Sequence, residues 1–121
     1  QKARQLKNMP DILITTPESL ALMLSYAGAK TLFKALRGVI LDEWHELLSS
    51  KRGTQTELCL SHLRGLCPSL RTWAISATLG NVSEAAQAAV GLKANPVVIQ
   101  SDLQRSTVIQ SILPASIDTF P

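Results

Sequence analysis

Cysteine is scarce in this chain: its 121 residues include two, Cys59 and Cys67. Both fall in a segment of helical periodicity, where that separation amounts to roughly 12 Å of rise. The distance excludes a disulfide between them and suits reduced thiols in a cytosolic protein. Cys59, His62 and Cys67 make a poor zinc site, because Cys67 is two turns from Cys59 and no fourth ligand is indicated; a free cysteine serves well as a small core residue. Also lacking are internal repeats, low-complexity tracts, a recognisable signal peptide and any apolar run of transmembrane length. Asn81-Val82-Ser83, which fits the glycosylation pattern, therefore reads as structural.

Acid is missing from the first eight residues, where Lys2, Arg4 and Lys7 lie, and this local imbalance produces the net charge of +3. The other nine basic residues are matched by nine acidic ones. Composition thus provides no basic face, and a nucleic-acid function must rest on particular positions. With 45% hydrophobic and 17% charged residues the chain suits one globular domain.

Short apolar runs alternate with amphipathic stretches. Ile12 to Thr15 is expected to form a buried strand after the turn-prone Met9-Pro10-Asp11. Thr16 and Pro17 then start a helix, with Leu20, Met23, Leu24 and Ala27 on one face and Gly28 at its end. Thr31 to Leu36 reads as a short helix, and Val39 to Leu41 as a second strand opened by Gly38. Ser49 to Gly53 reads as a polar loop, followed by a helix capped at Thr54 to Glu57 and running to about Leu66, before Pro68. Thr72 to Ser76 is the third strand, Val82 to Val90 a helix capped by Asn81 with Glu84, and Val97 to Gln100 a fourth strand. The order implies an α/β fold with a parallel sheet flanked by helices, whose ligands gather at the carboxyl ends of the strands.

Three polar clusters lie at such ends. Asp42-Glu43 closes the second strand, and adjacent carboxylates there suit a hydrated Mg²⁺ and a water poised to attack a nucleotide triphosphate. Asp42 as a helix cap, with Glu43 favoured by the helix dipole, is the competing reading. Trp44 suits packing. His45 suits packing too, unless Ser76 and Thr78, at the end of the third strand, reach it or Asp42 by hydrogen bonds; those hydroxyls are equally at home as caps. At Thr15 to Ser19 a helix start with free amides and hydroxyls suits the phosphates of a nucleic-acid strand, although Glu18 opposes an anion. Lys51-Arg52 suits either a phosphate contact or a solvated loop.

TTPESL at 15–20, DEWHELL at 42–48, SKRGTQTEL at 50–58 and TWAISATLGN at 72–81 together resemble motifs Ib, II and III of superfamily 2 helicases. The resemblance is narrower still to the large helicase-related (Lhr) family, in its ligase-associated DEXH-box branch. It implies a partial RecA-like (P-loop NTPase) domain. Residues 1–104 would be the C-terminal half of the first motor domain, and 105–121 an extended segment leading towards the second. The implied cofactors are ATP and Mg²⁺. Asp42 would hold the metal through water, Glu43 would activate the attacking water, and His45, Ser76 and Thr78 would couple nucleotide state to strand movement. Thr15, Thr16 and Ser19, with Lys51 and Arg52, would contact nucleic acid. The implied partners are DNA, as single strand and duplex junction, and the rest of the helicase chain, with a DNA ligase and an exonuclease by family association. The implied setting is the bacterial cytoplasm, beside the nucleoid, with translocation from 3′ to 5′ and a role in repair.

One part is missing: no Gly-x-x-x-x-Gly-Lys-Ser/Thr loop occurs to cradle phosphates. The strand carrying that loop in RecA-like sheets lies between the third and fourth strands expected here. Without it, unpaired backbone and bare apolar side chains are expected in the sheet, and the isolated chain is expected to be unstable and inactive. An RNA helicase of the same superfamily and a non-catalytic adaptor that retains half a motor fold are the rival readings. A stand-alone metal hydrolase is weaker, because adjacent residues cannot easily surround one ion.

Overall fold

The computed structural model describes residues 9–77, 79–101 and 108–110. Lys2, Arg4, Lys7 and Thr78 lie outside them, as does most of the segment from 105 to 121.

Two parallel strands form the sheet among the described residues: β1 (Gly38–Leu41) and β2 (Arg71–Ala74), with Gly38 opposite Arg71 and Leu41 opposite Ala74. Helices α1 (Pro17–Leu24) and α2 (Ala29–Phe33) precede β1. Between the strands come α3 (Trp44–Leu48) and the long α4 (Lys51–Leu66), and α5 (Val82–Val90) follows β2. A parallel pair needs such a crossover, and α3 with α4 supplies it. The expected α/β class is therefore present, with helices against a parallel sheet.

The central wedge is α4. Its buried residues, Gly53, Thr56, Cys59, Leu60 and Leu63, recur at helical spacing. Cys59 and Leu63 pack with Leu24, Ala29 and Phe33. Leu60 packs instead with Leu41, Trp44, Ala85 and Ala89. One helix thereby ties α1 and α2 to α3, α5 and the end of β1. Arg64 reinforces this arrangement, since its Nη2 donates to the Ala89 carbonyl at the end of α5, where helix carbonyls lack partners. Neither cysteine is bridged: Cys59 is buried in the first cluster, where desolvation pushes its thiol up, and Cys67 donates to the Phe33 carbonyl.

Several boundaries differ from expectation. Ile12 to Thr15 and Val97 to Gln100 are not strands; Ile12, Ile14, Val97 and Ile99 are all more than 80% exposed. Their apolar composition reads correctly as strand preference, but a strand exists only through its ladder, and neither segment has a paired neighbour among the described residues. The expected bare surface is present, with Trp73 half-exposed on β2, Ile75 half-exposed just past its end, and Ile40 open on β1. Helix α1 stops at Leu24, where the Ser25 hydroxyl donates to the Leu22 carbonyl, and α2 covers Ala29–Phe33 within a broader expected range.

The fourth helix starts earlier than expected. Ser50, not Thr54, is its N-cap, accepting the Gly53 N–H at 3.3 Å while donating to Leu47 at 2.9 Å. Lys51 and Arg52 therefore lie in the first helical turn rather than a loop. Gly53 permits this tight entry: a Cβ there would stand 2.0 Å from the Leu47 carbonyl oxygen, far inside contact distance. At α5 the expected cap is formed, with Asn81 accepting the Glu84 N–H at 3.2 Å and its amide nitrogen 2.7 Å from the Glu84 carboxylate.

Candidate functional site

Asp42 and Glu43 emerge at the carboxyl end of β1, and both are exposed. The ladder continues past the last paired residues: the Ile75 N–H donates to Leu41 at 2.8 Å, and the Trp44 N–H donates to Ile75 at 3.0 Å. These two backbone bonds fix the Asp42 to His45 turn beside the Ile75 to Ala77 turn. Trp44 then anchors the turn below. Its ring is 1% exposed, and its indole N–H donates to the Ala85 carbonyl at 2.9 Å.

Glu43 adopts the left-handed conformation, φ 48° and ψ 46°, alone among the described non-glycine residues. A conformation of this kind costs on the order of 1–3 kcal/mol and persists where surrounding contacts over-determine it. Here the contacts are the two ladder bonds and the buried indole. The strain turns the chain so that Trp44 points inward while both acids stay in solvent. Asp42 Oδ1 accepts the Glu43 N–H at 3.1 Å. The helix that follows starts at Trp44 and receives no side-chain cap, so the capping alternative for Asp42 does not describe this turn.

His45 meets the β2 loop through backbone. The Ala77 N–H donates to His45 Nδ1 at 3.3 Å. Neutral His45 so bonded carries its proton on Nε2, which lies 3.6 Å from Glu46 Oε1. Glu43 Oε2 is 3.5 Å from Nδ1, an approach of two acceptors that becomes attractive only when the ring is charged. Among the described residues, the contact from the β2 loop to His45 is thus made by an amide. Ser76 is exposed, Thr78 lies outside the described residues, and Ala77 between them makes the bond. Every non-proline residue carries an N–H, so residue type gives no signal for this contact.

The second polar cluster lies at the starts of α1 and α4, which pack on each other. Thr16 caps α1, its hydroxyl accepting the Ser19 N–H at 3.3 Å, with the Ser19 hydroxyl 3.4 Å away. Thr15 and Thr16 are exposed and Ser19 is half-buried. Arg52, from the first turn of α4, donates Nε–H to Glu18 Oε1 at 2.8 Å. The Glu18 carboxyl is held below the usual carboxylate range by its own backbone N–H first, then by the Thr16 hydroxyl and Arg52. Sequence reasoning placed Arg52 and the Thr15 to Ser19 turn in one role; the fold brings them together, and it adds the Glu18 contact that sequence reasoning missed. Lys51 is exposed beside them.

The chemistry of the first cluster is that of hard oxygen donors. Two adjacent, solvent-facing carboxylates at a strand end fit Mg²⁺, which keeps several waters and takes one or two carboxylates. Among the described residues no cluster of three or more His, Cys, Asp or Glu could hold a metal by side chains alone, so the fit is to a hydrated ion shared with a phosphate.

Comparison with known proteins identifies the family. The family model for DEAD/DEAH box helicases matches residues 1–85. The chain is 36% identical over 120 residues to the ATP-dependent helicase Lhr-Core of Methanocaldococcus jannaschii, covering 99% of this chain and 14% of that protein. It is also 36% identical over 117 residues to the Lhr helicase/uracil glycosylase of Escherichia coli, covering 96% of this chain and 8% of that one. Among solved structures, the Mycobacterium smegmatis helicase Lhr bound to ssDNA and AMP-PNP matches with a TM-score of 0.63 and 42% identity, over 72% of this chain and 11% of that chain. The chain therefore spans a small part of each relative. With acids, histidine and β2 loop arranged as described, it belongs to the DEAD/DEAH box helicases and carries a segment of their Lhr type.

Proposed function

We propose that the chain works as the hydrolytic and coupling part of an ATP-driven DNA helicase, within a longer polypeptide that supplies the phosphate loop and a second motor domain. Residues 1–104 serve as the latter half of the first motor domain, and 105–121 lead onward. The observation that carries this reading is the pair of exposed acids at the end of β1, wired through His45 to the turn after β2.

Asp42 would hold a hydrated Mg²⁺ through its waters, and Glu43 would take a proton from the water that attacks the γ-phosphorus as ADP leaves. Mg²⁺, when bound, neutralises charge on the phosphate oxygens. His45 senses the result, because its Nδ1 accepts from Ala77 and lies beside Glu43, so that a shift of the acid reaches the β2 loop through the ring. Ser76 and Thr78, the sequence neighbours of Ala77, share the coupling role in this reading. At the other cluster, Thr15, Thr16 and Ser19 offer amides and hydroxyls to a DNA backbone, with Lys51 and Arg52 supplying positive charge. A similar protein, solved bound to ssDNA and AMP-PNP, supports DNA as a partner and the use of a nucleotide.

Movement runs 3′ to 5′ in this reading, in repair carried out beside a DNA ligase and an exonuclease in the bacterial cytoplasm. As a separate polypeptide, residues 1–121 are expected to aggregate through Ile12, Ile14, Trp73, Ile75, Val97 and Ile99 and to show no ATP turnover. The test is strand separation by the full-length helicase on matched DNA and RNA duplexes with 3′ or 5′ tails. ATP-dependent opening of 3′-tailed DNA is expected. Preferential opening of RNA would favour the RNA-helicase reading, and no opening with no ATP turnover would favour an adaptor.

A further inference from the structure

An acid sits where a phosphate would approach. Glu18 lies in the first turn of α1, between Thr16 and Ser19, and unopposed it would repel a nucleic-acid strand. It is opposed: Arg52 Nε lies 2.8 Å from Glu18 Oε1, with the two side chains 54% and 52% exposed. A guanidinium presents five N–H donors in a rigid plane, and this bond engages one at its inner edge. The terminal nitrogens keep donors for another partner. Lys51, the adjacent cation, has no equivalent carboxylate bond among the described residues.

We propose that Glu18 is a positioning residue for nucleic acid: it holds the Arg52 guanidinium over the start of α1, so that Arg52 and the Thr16 to Ser19 turn grip the same backbone phosphate. This rests on the nucleic-acid reading of that face and gives it a further part. An unrestrained arginine loses much rotamer freedom when it meets a phosphate; one already clamped by a carboxylate loses less. The sign of the effect separates this from simple electrostatics, in which deleting an acid from a polyanion site tightens binding. Clamping predicts that the deletion weakens it.

The experiment is binding of a fluorescent oligodeoxythymidine by the full-length helicase over a range of salt, for wild type, Glu18→Ala, Glu18→Gln, Arg52→Ala and the double alanine variant. Arg52→Ala is expected to weaken binding and to reduce the slope of log affinity against log salt by about 0.7, one single-strand phosphate contact. Glu18→Ala is expected to weaken binding in the same direction and to lower the slope as well. The double variant should bind no worse than Arg52→Ala, since the two act as one unit. Glu18→Gln, which keeps an acceptor for Nε–H, should recover part of the loss, a rescue that damage to the fold would not give.

Tighter or unchanged binding by Glu18→Ala, alongside a weakened Arg52→Ala, overturns the positioning role while leaving the face as a DNA site. Additive losses in the double variant overturn it too. If Arg52→Ala and Thr16→Ala both bind as wild type does, the nucleic-acid reading of this face fails and the proposal falls with it.

Discussion

The two polar clusters are built by different means. At the end of β1, position comes from backbone: two ladder bonds, an amide on His45, a strained residue at 43 and a buried indole beneath. At the starts of α1 and α4, position comes from side chains: a threonine cap and one exposed ion pair. The contrast follows from the tasks proposed for each. A water must be held in line with a phosphorus to within a fraction of an ångström. A flexible strand bound through its phosphates needs only donors within reach.

Substitutions can break or sharpen that contrast. The largest effect short of removing Glu43 is expected for Asp42→Ala, which should lower ATP turnover of the full-length helicase by about 10- to 100-fold, as loss of a residue that orients metal-bound water does. Raised Mg²⁺ should recover part of it; steady-state turnover against Mg²⁺ concentration is the check.

Gly53→Ala comes next and should damage both clusters together. Its methyl would collide with the Leu47 backbone, pushing the start of α4, with Arg52, away from the helix that follows the acids. Overpacking of this kind costs about 1–3 kcal/mol, read by denaturant unfolding, and both DNA affinity and turnover should fall. A loss of one property without the other would show that the clusters are less connected than α4 makes them.

Smaller again is Thr16→Ala, which removes the α1 cap. It should cost about 1 kcal/mol of stability and weaken DNA binding several-fold, with DNA-independent turnover retained. The smallest change in stability, and the most diagnostic, is expected for Glu43→Gly. Because Glu43 is strained, glycine there should raise stability by a few tenths to about 1 kcal/mol while turnover is lost. The same exchange at Thr16, which is relaxed at φ −101°, should bring no gain.

Legibility in the sequence follows the same division. The strand from Val39 to Leu41, the cap at Thr16 with Pro17 and the helix Val82 to Val90 were all readable, because each depends on local pattern and capping chemistry. Both clusters were readable as clusters, since adjacent acids and grouped hydroxyls stand out from apolar runs. Contacts through backbone were not: the Ala77 amide on His45 and the Ile75 bonds leave no mark in residue type. Pairs distant in sequence were also hidden. Glu18 and Arg52 are 34 positions apart, and their meeting depends on how α1 lies against α4. Gly53 did leave a sign, a glycine at the entry to a periodic stretch, but Ser49 to Gly53 reads as a polar loop before the capping pattern at Thr54 to Glu57, whereas the helix starts at Lys51. The Ser50 cap and the Glu18 partner make that start acceptable. Ile12 to Thr15 and Val97 to Gln100 fail in the opposite sense, since pattern can announce a preference for sheet but cannot provide a neighbour.

The central claim is that Glu43 activates the water that cleaves ATP. It is tested most directly by measuring ATP affinity and single-turnover hydrolysis for Glu43→Gln in the full-length helicase. The account predicts unchanged ATP affinity with hydrolysis slowed by about 10²- to 10⁴-fold, the usual worth of a positioned general base. Hydrolysis within twofold of the unaltered enzyme would contradict it.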